Sequence, residues 1–371
     1  MNHIYKILLI LVSFKTIILL RRKKIFLSQY LIIDETSGDI DSRSLNFIDK
    51  PELKNSLNLI RTNNINLKSF FNILRIPNCF CYTIIKNLMV NRFNKKSFFY
   101  LIKKLFFYLR IKKIIMIDDY REMLFFKNLS TYLNIKILIY MHGRLSKKSD
   151  ILSKMKYSKY LVWSEYFKRQ LYGNKTSKTK IEVVGCPNLN LKNVKRITSS
   201  KVKIKNCLIL DEDYIDFNSV KDSYKSIIKV KKIKYFLKKK KTRKIPFGFS
   251  NFCKNHDIKI INDNINFSDT LSKFKIDCVI ASTSTGLLES LFYNVIPIKI
   301  NSRNKPREKE FSEFVKSKLV FSANSKNLHK LLNKNFDAKA LATNKNKLWG
   351  NILFNRKRVR NIINSFIKNN L

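Results

Sequence analysis

Short apolar runs alternate along most of this chain with longer stretches whose apolar residues recur every three or four positions. That rhythm predicts β/α units around parallel sheets. In the first half, Phe26–Ile33 reads as a strand ending at Asp34-Glu35, and Lys95–Leu109 reads as a helix. Lys112–Ile117 follows as a strand ending at Asp118-Asp119, Arg121–Leu133 as a helix, and Ile135–Tyr140 as a strand running into Met141-His142-Gly143. Tyr160–Trp163 is a short strand, Glu165–Leu171 a helix, and Lys180–Val184 a strand closing at Gly185-Cys186-Pro187. The second half restarts with a strand at Asn206–Leu210, which ends in Asp211-Glu212-Asp213. A helix is expected over Tyr214–Ile228, with strands at Ile233–Leu237, Asp257–Ile261, Ile276–Ala281 and Val295–Ile300, and a helix at Gly286–Tyr293.

The segment Asn188–Lys205 is polar and aperiodic, as a linker would be. The pattern therefore predicts an α/β protein of two Rossmann-like domains facing a cleft. Residues 1–190 form the first domain, 191–205 the linker and 206–344 the second domain. The end, Lys345–Leu371, reads as one long basic amphipathic helix. At the other end, Ile4–Leu20 is apolar but short of the ~20 residues a span needs, and Lys6 and Lys15 interrupt it. A buried strand and helix is the expectation there, with a helix lying on a membrane as the alternative. No small-residue cleavage site follows, so export is not expected.

Charge changes this picture. Seventy-five Lys and Arg against 26 Asp and Glu give a formal +49, a field that attracts nucleic acid, anionic lipid or phosphorylated substrates. A chain rich in Lys, Asn, Ile and Phe with only 7 Gly also carries the mark of codon drift, which makes much of that lysine plain solvated surface. The six cysteines lack the spacing of a metal site or redox pair and sit in apolar runs, as free buried thiols do.

The candidate chemistry lies at strand ends. Gly143, Gly185 and Gly286 each follow an expected strand, where open α/β sheets place ligands. Around Gly286 the strand ends in Ser282, Thr283, Ser284 and Thr285 before a helix begins, so hydroxyls and backbone N–H groups offer an anion site. Glu289, one turn on, is placed either to accept hydrogen bonds from a ribose or to close a capping box with Thr285. His142 is the first candidate for a base and Asp119 the second; a turn histidine and a helix N-cap are their structural alternatives. The acids Asp211 to Asp213 read as solvated loop acids or a cap rather than a metal site. The lysines of 229–244 surround a strand and carry no nucleic-acid-binding signature.

The run Ser282-Thr283-Ser284-Thr285-Gly286-Leu287-Leu288-Glu289-Ser290-Leu291, followed by Val295-Ile296-Pro297-Ile298, resembles the donor-nucleotide motif of GT-B-type glycosyltransferases. It is most similar to the bacterial capsule and teichoic-acid transferases related to CDP-glycerol glycerophosphotransferases. Ile139 to Gly143, Val162 to Phe167 and Val184 to Asn188 resemble three further segments of that group in the same order. Met141, Ser164 and the stretch Lys234 to Leu237 depart from its usual residues. The resemblance implies a nucleotide-activated donor held by Ser282 to Gly286 and Glu289, to which the strand-end placement adds His142 or Asp119 as candidate base. It places Gly143, Glu165, Gly185 and Pro187 along the cleft, and implies neither metal nor cofactor. A glycan or lipid-linked acceptor, an anionic membrane surface and a cytoplasmic position peripheral to the inner membrane complete the expectation, with no nucleic acid. Two alternatives stay open: an inactive transferase-like partner in polysaccharide assembly, and a basic nucleic-acid-binding protein.

Overall fold

The computed structural model describes residues 2–20, 27–32, 54–61, 65, 67–117, 120–141, 158–172, 181–187, 189–195, 197–212, 217–239, 245–261, 264–301, 305–350 and 354–368. These fall into two compact α/β units. One comprises residues within 1–163, 168–187 and 353–371; the other comprises 164–167 and 188–352.

The first unit runs α1 (Asn2–Leu20), β1 (Leu27–Ile32), β2 (Ser56–Arg61), α2 (Leu67–Leu74), β3 (Cys79–Phe80), α3 (Tyr82–Arg92), α4 (Lys95–Tyr108) and β4 (Lys113–Ile117). It continues through α5 (Tyr120–Leu133), β5 (Lys136–Tyr140), β6 (Lys159–Val162), α6 (Glu165–Tyr172) and β7 (Ile181–Val183), with α6 starting in the short segment grouped with the other unit. The seven strands lie in the order β3-β2-β1-β4-β5-β6-β7, and every pair is parallel. Near-continuous apolar strands such as Ile114 to Met116 and Ile137 to Tyr140 are buried, as a sheet covered on both faces requires.

The second unit contains β8 (Lys201–Val202), β9 (Asn206–Leu210), α7 (Phe217–Ile227), β10 (Lys234–Lys238), α8 (Phe247–Asn255), β11 (Lys259–Ile261), α9 (Phe267–Lys273) and β12 (Cys278–Ala281). After them come α10 (Gly286–Phe292), β13 (Ile296–Ile300), α11 (Lys305–Lys316), β14 (Phe321–Ala323), α12 (Leu328–Leu332), β15 (Phe336–Asp337) and α13 (Ala338–Trp349). Its main sheet is parallel in the order β11-β10-β9-β12-β13-β14, and β8 pairs with β15 in a small antiparallel ribbon. Counted within the unit, that order is 3-2-1-4-5-6, the doubly wound arrangement whose direction reverses between its first and fourth strands.

With so few glycines, helices end on other residues. Arg110, Asn134, Asp257, Lys275, Asn294 and Lys318 all adopt positive φ just past helices where glycine is usual. Such residues cost more than glycine there, so the surrounding packing holds them. Gly350 (φ 60°, ψ −155°) ends α13 in an extended positive-φ conformation that only glycine adopts readily.

Two expectations at the chain ends are corrected. Lys345–Leu371 is not one helix: α13 stops at Gly350 and a separate α14 (Arg356–Lys368) returns to the first unit. There Val359 and Ile363 pack with Ile115, Leu138, Tyr140, Leu161 and Val184, and Lys113 Nζ donates to the Ile367 carbonyl at 2.6 Å. At the start, no strand precedes the helix; α1 takes the whole apolar run and is long and apolar enough to cross a membrane by length and composition. The segment 188–205 is also more than a tether: Asn190 N–H donates to the Tyr293 hydroxyl at 2.9 Å, and Asn294 Nδ2 to the Lys195 carbonyl at 2.7 Å.

Candidate functional site

The reversal of strand order in the second unit leaves a crevice beyond the carboxyl ends of β9 and β12. β9 ends at Leu210 and delivers Asp211 and Glu212; β12 ends at Ala281 and delivers Ser282 and Thr283. The two strands are direct parallel partners, so these residues emerge side by side. The sequence places them 70 positions apart; the topology makes them neighbours.

Glu212 fixes the turn. Its carboxylate accepts the N–H of Ser282 at 2.9 Å and the N–H of Thr283 at 2.8 Å. The reading of these acids as solvated or as a helix cap is therefore corrected: Glu212 bonds the turn, Asp211 is buried, and Asp213 lies outside the described residues. Half of the expected anion site is thus already occupied by the protein's own carboxylate.

The other half is open. Ser284 and Thr285 are half-buried, and among the described residues their N–H groups have no hydrogen-bond acceptor. Ser284 Oγ accepts the Gly286 N–H at 3.1 Å, while the Thr285 side chain makes no capping bond. The capping box between Thr285 and Glu289 does not form; only the backbone Glu289 N–H reaches the Thr285 carbonyl, at 3.0 Å, and the Glu289 side chain is buried. A Cβ on Gly286 would stand 2.6 Å from Leu210 Cδ1, so this glycine serves close packing of helix on strand.

The surroundings reinforce the arrangement. Lys299 on β13 is in register with Ala281, is buried, and donates to Asn301 Oδ1 at 3.3 Å. Lys238, at the end of β10, donates to the Ile265 carbonyl just before α9. Tyr224 stacks on Phe249 with ring centroids 5.2 Å apart, and its phenol is pushed well above its usual range by burial and then by Glu212 and Asp211. Glu212 and Lys299 were both missed by reading the sequence. The only trace of Glu212 was its place two residues past a strand, and Lys299 hides inside an apolar run.

The remaining candidates lie between residues 119 and 187 of the chain. Gly185 is buried with φ 83°, so its backbone conformation is one that other side chains rarely adopt, and Pro187 is half-buried. Glu165 is exposed in the first turn of α6. His142, Gly143 and Asp119 lie outside the described residues. All six cysteines are free and buried, and no cluster of metal-binding side chains occurs among the described residues.

The chain matches no family model and no curated protein. Among solved structures it is similar to the S. aureus MnaA–UDP co-structure, with 10% identity, a TM-score of 0.58, and 92% of this chain and 97% of that one covered. It is also similar to Methanocaldococcus jannaschii UDP-GlcNAc 2-epimerase in complex with UDP-GlcNAc and UDP, at 18% identity and TM-score 0.52, covering 93% of this chain and all (100%) of that one. MurG of Acinetobacter baumannii gives 10% identity and TM-score 0.53, with 92% and 99% covered. The fold is GT-B-like. At these identities the likeness shows the fold alone.

Proposed function

We propose that the protein is a glycosyltransferase, moving a sugar or glycerol phosphate from a nucleotide-activated donor to a surface-carbohydrate acceptor. The observation that carries this reading is the Ser282–Gly286 turn at the strand-order reversal, pinned by Glu212 and leaving the Ser284 and Thr285 donors open. Support comes from the fold, since the similar S. aureus and M. jannaschii structures are UDP complexes. The order of motifs along the chain favours capsule or teichoic-acid transferases of the CDP-glycerol type.

In this reading the second unit holds the donor and the first the acceptor, a glycan or lipid-linked glycan at the cytoplasmic face of an anionic membrane. His142 takes the proton from the acceptor hydroxyl, with Asp119 as the alternative base. For a sugar, the acceptor oxygen bonds the anomeric carbon as that carbon's bond to the phosphate oxygen breaks, and the nucleoside diphosphate leaves with the electron pair. For glycerol phosphate, the acceptor oxygen bonds the glycerol-bearing phosphorus as the P–O bond to the nucleoside monophosphate breaks, and that monophosphate leaves with the pair. Donors at the Ser284–Thr285 turn stabilise the developing charge without calling on a metal. A second reading, a nucleotide-sugar epimerase, is favoured by the M. jannaschii likeness and needs no acceptor.

A thermal-shift comparison of UDP, CDP, CMP and GDP identifies the base of the donor. Replacing Ser284 and Thr285 together by Ala removes their hydroxyl donors while keeping the open backbone N–H groups. It should weaken nucleotide binding by about tenfold or more, because hydrogen bonds to charged groups contribute roughly 1.5–3 kcal/mol. His142→Ala should lower turnover by about 10²–10⁴-fold with nucleotide affinity unchanged. Wild-type turnover in His142→Ala would move the base to Asp119, and no nucleotide binding at all would favour the inactive-partner reading. Product formation from the donor alone would establish the epimerase.

A further inference from the structure

Helix α1 is apolar on both of its faces. Its inward face carries Leu9, Ser13, Thr16 and Leu20, all buried. Its opposite face presents Ile4, Ile7, Leu8, Leu11, Phe14, Ile18 and Leu19, all exposed, with Ile18 at 70%. A surface helix normally turns its apolar stripe inward and its polar residues out. Here Leu9 and Leu20 are buried inward beside the two hydroxyls, with Tyr5, Ile10 and Val12 against the same core. A second set of large apolar groups points out, the arrangement of a helix whose outer phase is also apolar. Ser13 Oγ nevertheless accepts the Cys81 N–H at 2.9 Å and donates to the Leu9 carbonyl at 2.7 Å, which fastens α1 along the surface of its unit. That geometry suits a helix lying in an interface rather than one crossing alone.

The apolar face continues into a groove between α1 and α4. Phe14, Ile17, Phe80, Leu101, Leu105 and Phe107 line about 460 Å³, and Phe107 at its rim is 78% exposed. That volume is within the range that accommodates a small apolar ligand. Lys104 stands at the groove, its Nζ 4.7 Å from the Tyr100 ring centroid, and Lys103 lies 4.7 Å from that of Tyr132. Charge selects the occupant. No aspartate or glutamate occurs in residues 1–33 or 53–117, whereas Lys6, Lys15, Lys68, Lys103 and Lys104 do. A second copy of this cationic face would be repelled, and anionic headgroups would be attracted.

We propose that the outward face of α1 and the rim of α4 dock into one leaflet of an anionic phospholipid bilayer, with the groove receiving an acyl chain. This names the surface behind the peripheral placement proposed above and rests on that reading only for the identity of the membrane. The test uses the full chain and sedimentation with phosphatidylcholine vesicles, with and without phosphatidylglycerol. Binding should require phosphatidylglycerol for capture, and a fraction should resist a subsequent high-salt wash because apolar side chains are inserted. Leu11→Glu with Ile18→Glu should lower partitioning about tenfold or more while leaving the melting temperature unchanged, since both side chains face solvent. A Phe107→Trp reporter should be quenched by phospholipid brominated on its acyl chains.

Unaltered partitioning of the double variant, or an unquenched Trp in vesicle-bound protein, would overturn the proposal. So would lipid-free self-association that the double variant abolishes, which would make the face a homodimer interface. UDP and CDP binding measured on the same variants stays as in wild type if the two readings are independent, so either can fail alone.

Discussion

The main sheet of the second unit holds a carboxylate at each of its ends, and the two are used in the same way with opposite results. At the amino end, Asp277 accepts the N–H groups of Lys205 at 2.8 Å and Asn206 at 2.9 Å, and pairs with the Lys195 ammonium. At the carboxyl end, Glu212 accepts the N–H groups of Ser282 and Thr283. Around Asp277 the account closes on the protein's own donors, and the result is a clasp that holds 195–206 to β12. Around Glu212 it does not close: two further N–H groups, of Ser284 and Thr285, remain after the carboxylate is satisfied. A surplus of donors, rather than the presence of a polar cluster, is what distinguishes a binding edge from a structural one.

The largest effect is expected at the closed end. Asp277→Ala leaves two backbone donors and an ammonium without their acceptor, a loss of about 3 kcal/mol or more. Urea unfolding should show a lowered midpoint, while nucleotide affinity of the remaining folded protein stays unchanged. A drop in affinity as large as the drop in stability would show that the two ends are coupled and would break the contrast.

Glu212→Gln should be milder and should act on both quantities in opposite directions. The amide keeps one acceptor oxygen for the turn but turns an N–H₂ toward the other donor, costing about 1–2 kcal/mol of stability. It also removes a negative charge beside the proposed phosphate site, so calorimetric affinity for UDP or CDP should rise severalfold at low salt. If affinity falls instead, the carboxylate contributes to the ligand directly or the turn has lost its shape, and Glu212 would join the binding residues.

How far this was legible beforehand follows from the same contrast. Between Ser56 and Arg92, β2, α2, β3 and α3 were not foreseen. The strands and helices that were expected follow their apolar periods closely, because a parallel sheet covered on both faces demands continuous apolar strands such as Cys278 to Ala281. The Ser282–Gly286 turn was equally plain, being four hydroxyl residues and a glycine at one strand end. Glu212 was not, because its role depends on β9 and β12 being partners, and strand order is not written in any local pattern. The terminal helices misled for a related reason. The end reads as one long basic amphipathic helix, yet Val359 and Ile363 of α14 spend their apolar stripe on the first unit's own sheet. Helix α1, without a clear stripe, is the one that leaves large apolar groups outside. Amphipathicity reports that a helix has a partner, and only the fold says whether that partner is the protein itself.

The smallest effect concerns two thiols, one beside each carboxylate region. Cys253 on α8 is pushed up to about 12, first by burial and then by the Asp211 carboxylate. Cys278 on β12 is pushed well above its usual range by burial, by its neighbour Cys207, and last by Asp277. Since burial is the leading cause at both, Asp211→Asn should lower the Cys253 value only partly, and neither thiol should react with iodoacetamide at neutral pH. The sign of the linkage follows from the direction of the shifts. A thiol whose folded value is raised holds its proton longer in the folded protein than in the unfolded chain. Stability is therefore unaffected by these groups below the unfolded value of about 9 and declines as pH rises from there toward 12. Urea midpoints should be flat below that point and fall above it, with the same onset in Asp211→Asn. Labelling sharpens the contrast between the two ends. If Cys253 reacts in the native protein while Cys278 stays protected, the Glu212 edge opens to solvent on the labelling timescale and the Asp277 edge does not. Equal reaction of both would mean that the whole sheet opens together, and the difference between the ends would then be one of ligand chemistry alone.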